Sequence, residues 1–293
     1  MGAPCVLASR RPASASRRAI ITLEARSSKI AVAATAPFGA DVLERLGERH
    51  EVSCLLTRPD APAGRGRKPA PSSAKLVAER LGIPVLEPER PARGLDLGAA
   101  VVVAVAYGLI VPDDLLDDYL WLNVHPSLLP RWRGAAPVER SLMSGDVETG
   151  VTIIRLVHEL DAGPIVAQQR FPVAGDDDAG AVYARAAEVA AALLDAVLAD
   201  PAPSFRPQVG EPSYAARIEA ADRLLDLGRP ASELVNLVRA LSPHIGARAE
   251  LHGRPVTVWR ARVGADGELE PVEVQPDGGR RMAYGAWLRG LRP

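Results

Sequence analysis

The sequence predicts an α/β chain in two units, a larger one built on a parallel sheet over residues 29–205 and a smaller β-rich one over 206–293. Three observations lead there. From Lys29 onward the apolar pattern alternates between strand and helix periods. Residues 99–108, AAVVVAVAYG, form an unbroken apolar run of the kind buried on both faces of a parallel sheet. After residue 206 several short strand-like runs are separated by turn residues, the pattern of a small β-barrel.

The elements follow in order. KIAVAAT is a strand, APFGADVLERLGER has helical spacing, and EVSCLLT is a second strand, so the chain opens β-α-β and its first two strands are parallel. SSAKLVAERLG is a helix stopped by Gly82; IPVLEP and AAVVVAVAYG are strands; PDDLLDDYL is a helix begun at a proline. LWLNVH is the next strand and brings Asn123 and His125 to its carboxyl end, the rim where open α/β sheets of the Rossmann-like kind bind ligands. GAAPVERSLMSG is a helix, GVTIIRLVHELDAGPIVAQQRFPV two strands about a turn at Asp161–Pro164, and AGAVYARAAEVAAALLDAVLA a long helix. Residues 200–213, with four prolines and no periodicity, are expected to be a linker. ASELVNLVRAL is a helix, GARAEL and VTVWRARV a hairpin joined at HGRP, and PVEVQ a further strand.

Bulk properties exclude several classes. With 47% hydrophobic and 24% charged residues and a formal charge of −1, the chain is not one that coats a polyanion with its whole surface, so any such partner is met locally. Cys5 and Cys54 fit no metal spacing and imply reduced thiols without a disulfide framework. No apolar run approaches the length of a membrane span. Residues 1–28 carry five Arg and one Glu among many Ala and Ser, and are expected to be a disordered or mis-started extension, or alternatively an organelle transit peptide, outside the fold.

Asn123 and His125 stand at i and i+2 and therefore face the same way, and two polar side chains on one face of a core strand both need partners. The next residues, PSLLPRWRG, hold two prolines that forbid a helix and leave backbone groups free for a ligand. Asp161 lies in the D-x-G turn downstream. An amide, an imidazole and a carboxylate are the set needed for acyl transfer to an amine: a donor at the oxygen that becomes negative, a group able to carry a proton, and a carboxylate to orient that group. No other His stands at ligand spacing from His125, so no metal is expected.

The run N-V-H-P-S-L-L-P-R-W-R-G-A-A-P at 123–137, with L-D-A-G-P at 160–164, resembles the 10-formyltetrahydrofolate-dependent formyltransferases. The likeness extends from about Lys29 to the last residues, and the loop T-R-P-D-A-P-A-G-R-G-R-K-P at 57–69 is similar to that of the branch acting on initiator methionyl-tRNA. The resemblance implies that Asn123, His125 and Asp161 are catalytic. It implies that Ser127, Leu128, Leu129 and Pro130 form part of the folate site, with Tyr107, Gly108, Leu109 and Ile110 in the segment along its wall. It further implies that the smaller unit is a barrel of oligonucleotide-binding (OB-like) type that assists tRNA docking.

Between residues 58 and 75, Arg58, Arg65, Arg67, Lys68 and Lys75 stand against Asp60 alone, a cationic loop able to meet phosphates. The resemblance makes Arg58, Arg65, Arg67 and Lys68 candidate tRNA contacts, Arg65 first. In the smaller unit thirteen Arg oppose eleven Asp or Glu, a weak pull, and Arg248, Arg254, Arg260 and Arg262 are the plausible phosphate contacts, with Arg280 and Arg281 beside them and Trp259 available to stack or to fill the core. Two departures from the family pattern stand out: Ala34-Thr35-Ala36-Pro37-Phe38-Gly39 where relatives have Gly-Thr-Pro-x-Phe-Ala, and Glu159 where relatives carry glycine. Competing readings are a formyltransferase for a nucleotide sugar or for glycinamide ribonucleotide, a hydrolase releasing formate from the folate, and a non-catalytic RNA-binding protein on the same scaffold. A monomer in the bacterial cytoplasm is expected.

Overall fold

The computed structural model describes residues 29–63 and 68–291; the expected extension at 1–28, with Cys5, and the candidate contacts Arg65 and Arg67 lie outside the described residues. Strand β1 (Lys29–Ala34) passes through α1 (Pro37–Gly47) into β2 (Glu51–Leu56). A hairpin of β3 (Ala61–Ala63) and β4 (Lys68–Ala70) precedes α2 (Ser73–Leu81) and the short β5 (Val85–Leu86). Then come β6 (Val101–Val105), α3 (Asp113–Asp118), β7 (Leu120–His125), the two-residue β8 (Arg133–Gly134) and α4 (Pro137–Met143). An antiparallel pair, β9 (Glu148–Arg155) and β10 (Ile165–Pro172), leads into α5 (Ala179–Ala199).

Seven strands form one mixed sheet in the order β10-β9-β7-β6-β1-β2-β5, parallel from β7 to β5 and antiparallel at β9 and β10. The chain runs outward from β1 to β2 and β5, then returns to β6 on the other side of β1. That reversal places a crevice at the carboxyl ends of β1 and β6, beside β7. Local chemistry sets the element ends: Pro37 and Pro137 occupy the first helical positions of α1 and α4, the Ser72 hydroxyl caps α2 by accepting from the Lys75 N–H, and Gly82 ends α2 at φ 69°. Gly39 explains the first departure from the family pattern. A Cβ there would lie 2.5 Å from the Val105 carbonyl oxygen and 2.8 Å from the Ala34 Cβ, so this glycine lets α1 pack directly on the sheet.

Burial follows the pattern that predicted it. β1 and β6 are buried along nearly their whole length, with Val32, Val103, Leu43 and Leu46 on one face of the sheet and Ala33, Val102, Leu115 and Trp121 on the other. Cys54 is a free, buried thiol. No helix among the described residues is long and apolar enough to cross a membrane.

Glu139 in α4 is half-buried and accepts from the Tyr183 hydroxyl of α5 at 3.1 and 3.3 Å. Burial pushes its carboxyl above the ordinary 4.5. The native state therefore holds this proton to higher pH than the unfolded chain does, and stability falls as pH rises through that window. Glu139→Gln is expected to flatten the fall in thermal midpoint above pH 4.5; a slope equal to the parent's would show that Glu139 titrates normally.

Beyond residue 213, β11 (Tyr214–Ala215) and a 3-10 turn at Ala221–Arg223 lead to α6 (Ala231–Leu241), β12 (Ala247–Leu251), β13 (Arg254–Val263), β14 (Leu269–Pro276), β15 (Met282–Ala283) and α7 (Tyr284–Arg289). The small β-rich unit is a four-stranded antiparallel sheet in the order β12-β13-β14-β15. Register shifts near Val258, Arg260 and Ala261 bend β13. Leu234, Leu237, Val238 and Leu241 of α6 share its core with Val256, Val258 and Val274.

Residues 200–213 are not the loose linker the prolines suggested. The Arg206 N–H and carbonyl pair with Ile165 at 2.9 and 2.7 Å, the Arg133 N–H donates to the Ser213 carbonyl at 2.8 Å, and β11 pairs in parallel with β8. The stretch lies along the larger unit and ends as a strand on it. Proline removes N–H donors but leaves the intervening residues free to pair, which is why composition misled here.

Candidate active site

β7 sets two of the three candidate residues. Asn123 and His125 project on one face, with Ala104 of β6 beside Asn123 and with Ile154 and Thr152 of β9 beside Asn123 and His125. Past His125 the chain turns sharply. The Ser127 hydroxyl donates to the Arg131 carbonyl at 2.7 Å, the Thr152 hydroxyl to the Ser127 carbonyl at 2.6 Å, the Leu129 N–H to the Thr152 Oγ1 at 3.1 Å, and the Gln168 amide to the Leu129 carbonyl at 3.0 Å. So held, the turn brings the Trp132 carbonyl back over the imidazole, 2.8 Å from His125 Nε2.

A carbonyl oxygen only accepts, so this contact puts a proton on Nε2. Nδ1 is left as the ring position that gains or loses one, and it faces Asp161 Oδ2 at 3.6 Å, beyond hydrogen-bond reach but close enough for an ion pair. Asp161 Oδ1 accepts from the Asn123 amide at 3.2 Å, and Oδ2 from the Gly134 N–H at 2.8 Å. His125 is 4% and Asp161 8% exposed, so water screens the space between them little. The amide, the imidazole and the carboxylate of the sequence motif thus converge at the carboxyl end of β7.

Asp161 holds this position against its own backbone preference. Its φ is 48°, a left-handed conformation that costs a non-glycine residue roughly 1–2 kcal/mol. Gly163, the glycine of the D-x-G turn, is required for space: a Cβ there would stand 1.8 Å from the Arg155 carbonyl oxygen. Gly134 is required on both grounds, with φ 119° and the Ala215 carbonyl oxygen 2.8 Å from where a Cβ would be.

The segment assigned to the folate divides. Ser127 is fully buried with its hydroxyl committed to Arg131, and Leu129 is buried against Ile154 and Ile165, so the side chains of these two build the turn. Leu128 and Pro130 are half-buried. Tyr107 is buried, its ring in the same core cluster as Trp121 and Leu115, while Leu109 is half-buried and Gly108 and Ile110, the latter 88% exposed, face solvent. Gly108 lies at φ 75° with the Arg58 guanidinium beside it, 3.8 Å from where a Cβ would stand.

Of the cationic loop, Arg58 and Lys68 are exposed. Lys75 is not part of an open cationic face. Its ammonium donates to Asp60 at 2.8 Å and to Glu87 at 2.9 and 3.0 Å, which raises its pKa and ties the base of the hairpin to α2 and β5. In the smaller unit, Arg262 is taken up by a two-pronged contact with Glu270 at 2.7 Å, and Arg248 lies 3.7 Å from Asp277. Trp259 is 8% exposed and lies under the Arg281 guanidinium at 3.5 Å, so it belongs to the core.

Arg133, Gln208 and Thr152 were not singled out from the sequence. Thr152 reads as one more strand residue, and Gln208 falls in the proline-rich stretch. Arg133 belongs to the quoted motif, yet nothing in it marks an arginine only 9% exposed. Glu159, the second departure from the family pattern, is exposed and faces Arg133 at 3.4 Å.

Comparison with known proteins bears on this geometry. Residues 28–198 match the family described as formyl transferase, and residues 217–268 match the formyl transferase C-terminal domain. The chain is 38% identical over 284 residues to the methionyl-tRNA formyltransferase of Paracoccus denitrificans, covering 88% of this chain and 95% of that one. It is 39% identical over 292 residues to the enzyme of that name from Thermus thermophilus, covering 89% and 96%. The chain belongs to the methionyl-tRNA formyltransferase family. As a member of that family it has the expected α/β fold with a second, antiparallel-sheet unit. Solved structures share the fold at low identity: methionyl-tRNA formyltransferase from Clostridium thermocellum at 13% identity and TM-score 0.60, covering 85% of this chain and 99% of that one, and an N-formyltransferase from Helicobacter canadensis at 18% and 0.63, covering 88% and 99%. The methionyl-tRNA formyltransferase family is thus reached by two routes, the residues of the site and the length of the alignment.

Proposed function

We propose that the chain transfers the formyl group of 10-formyltetrahydrofolate to the α-amino group of methionine on initiator methionyl-tRNA. The observation that carries this is the convergence of Asn123, His125 and Asp161 at the carboxyl rim of the sheet in a chain of this family. The folate supplies a formyl carbon bonded to nitrogen. Leu128, Pro130, Leu109 and Ile110 leave apolar surface beside the motif that suits its flat ring system.

Asn123 presents an amide N–H to the formyl oxygen as it becomes negative. His125, pinned through Nε2 and cationic or becoming so at Nδ1, stabilises the same oxygen. Asp161 holds the Asn123 amide, stands beside His125 Nδ1, and takes part, through water, in removing a proton from the attacking amine. One C–N bond forms at the methionine nitrogen, the bond from the formyl carbon to the folate nitrogen breaks, and the proton lost by the amine balances the one gained by the folate. No covalent enzyme intermediate is needed.

Arg58, Arg65, Arg67 and Lys68 are proposed to meet the acceptor stem from the loop at 57–69, and the smaller unit, taken as 206–293, to assist docking. The larger unit, 29–205, is proposed to hold the chemistry, and the protein to work as a monomer in the cytoplasm of a bacterium.

The test is to incubate the protein with 10-formyltetrahydrofolate and, separately, charged initiator tRNA, charged elongator tRNA and free acceptor amines. Formyl on initiator methionyl-tRNA is the expected product. Asn123→Ala and His125→Ala should each lower turnover by about 10²-fold or more with an unchanged thermal midpoint. Transfer only to a sugar nucleotide, or formate released to water alone, would overturn the assignment.

A further inference from the structure

We propose that Gln208 is a positioning residue for the transfer, clamping the Asp161 turn from the stretch that joins the two units. The proposal rests on the catalytic reading of Asp161. The Gln208 Nε2 donates to the Asp161 carbonyl at 2.7 Å and to the Gly163 carbonyl at 2.9 Å, the two carbonyls on either side of Ala162. Its Oε1 accepts from Arg133 Nη2 at 2.8 Å and Nε at 3.1 Å. Both amide protons and both oxygen lone pairs are thus used.

The Arg133 contact closes a loop in the structure. The residue after Arg133 is Gly134, whose N–H holds Asp161 Oδ2 at 2.8 Å. One amide therefore ties the backbone of the aspartate turn to β8, which in turn holds the aspartate's carboxylate. Register is secured two residues earlier, where Arg206 and Ile165 exchange backbone hydrogen bonds at 2.7 and 2.9 Å. Asp161 sits at φ 48°, a conformation that surrounding contacts must maintain, and the Gln208 contacts are on that residue's own carbonyl and on the one two residues later. A carboxylate at this position would keep the Arg133 partnership but turn two attractive contacts with carbonyls into repulsions. An alkyl side chain would lose all four.

The full-length Q208E and Q208L variants test this by steady-state kinetics. The expected result is a kcat about 30-fold below the parent for each, the scale of a small misplacement at a reacting centre. KM for 10-formyltetrahydrofolate and for methionyl-tRNA is expected to stay within about threefold, because the Gln208 amide spends its hydrogen bonds inside the protein. In Q208E the rate relative to the parent should recover as pH is lowered, since a protonated carboxyl donates one hydrogen bond again, a signature that a merely structural role does not produce. A Q208E protein with parental kcat, or one whose loss is confined to KM or independent of pH, overturns the proposal. D161A separates the two failures. If D161A retains the parental rate, the catalytic reading of Asp161 has failed and this proposal with it; if D161A is inactive while Q208E is not, the clamp alone is wrong.

Discussion

Asp161→Asn is expected to lower formyl transfer by about 10³-fold or more while leaving the fold in place. The carboxylate accepts from two donors of fixed direction, the Asn123 amide at 3.2 Å on Oδ1 and the Gly134 N–H at 2.8 Å on Oδ2. An asparagine offers only one oxygen. If that oxygen meets Gly134, the new NH₂ confronts the Asn123 NH₂; if Asn123 turns its own amide to relieve this, the donor proposed for the formyl oxygen points the other way. In both arrangements no negative charge remains 3.6 Å from His125 Nδ1. A carboxylate-to-amide change beside a catalytic histidine costs about 10⁴-fold in the serine proteases for a related reason. Initial rates with a matched thermal melt decide the matter, and a variant within tenfold of the parent would mean that the carboxylate is not part of the chemistry.

Gly163→Ala is expected to show the largest loss of stability, about 3 kcal/mol or more by chemical denaturation. The added Cβ would stand 1.8 Å from the Arg155 carbonyl oxygen, a backbone atom that has no rotamer to escape into. Relief requires the Asp161–Pro164 turn to move away from β9, breaking the Arg155 N–H contact to the Pro164 carbonyl at 2.9 Å. Asp161 is two residues away, so activity should fall with stability. Gly175→Ala is the control: no atom stands within 4 Å of its added Cβ, and the expected change is within about 0.5 kcal/mol. A loss below about 1 kcal/mol for Gly163→Ala would show that the turn accommodates a side chain and that the glycine is there for another reason.

Much of the site could be read from local pattern. Asn123 and His125 share a strand face because alternate residues of any strand do, and their place at its end follows from the two prolines beyond it. Asp161 was marked by its D-x-G turn and by likeness to a family motif, yet nothing in 35 intervening residues says that this turn folds back on β7. Ser127, Leu129 and Tyr107 show what such likeness leaves open. A motif identifies a segment, but which of its side chains face a ligand depends on what packs behind them: here Thr152 and Gln168 behind the turn, and the core around Trp121 behind Tyr107. Charge counting failed at Lys75 for a related reason, because Asp60 and Glu87, 15 residues before it and 12 after, converge on its ammonium.

Period and punctuation along the chain determined the succession of strands and helices and the class of fold, because those signals arise between residues a few positions apart. Tertiary structure alone decided three contacts between residues remote in sequence or in direction: the Trp132 carbonyl that selects the histidine's proton, the Gly134 N–H that seats the carboxylate, and the Gln208 amide reaching back 47 residues to the Asp161 carbonyl. Each is made by a backbone group, or by a side chain in a stretch without periodicity, and such groups look the same in every sequence until the chain has closed around them.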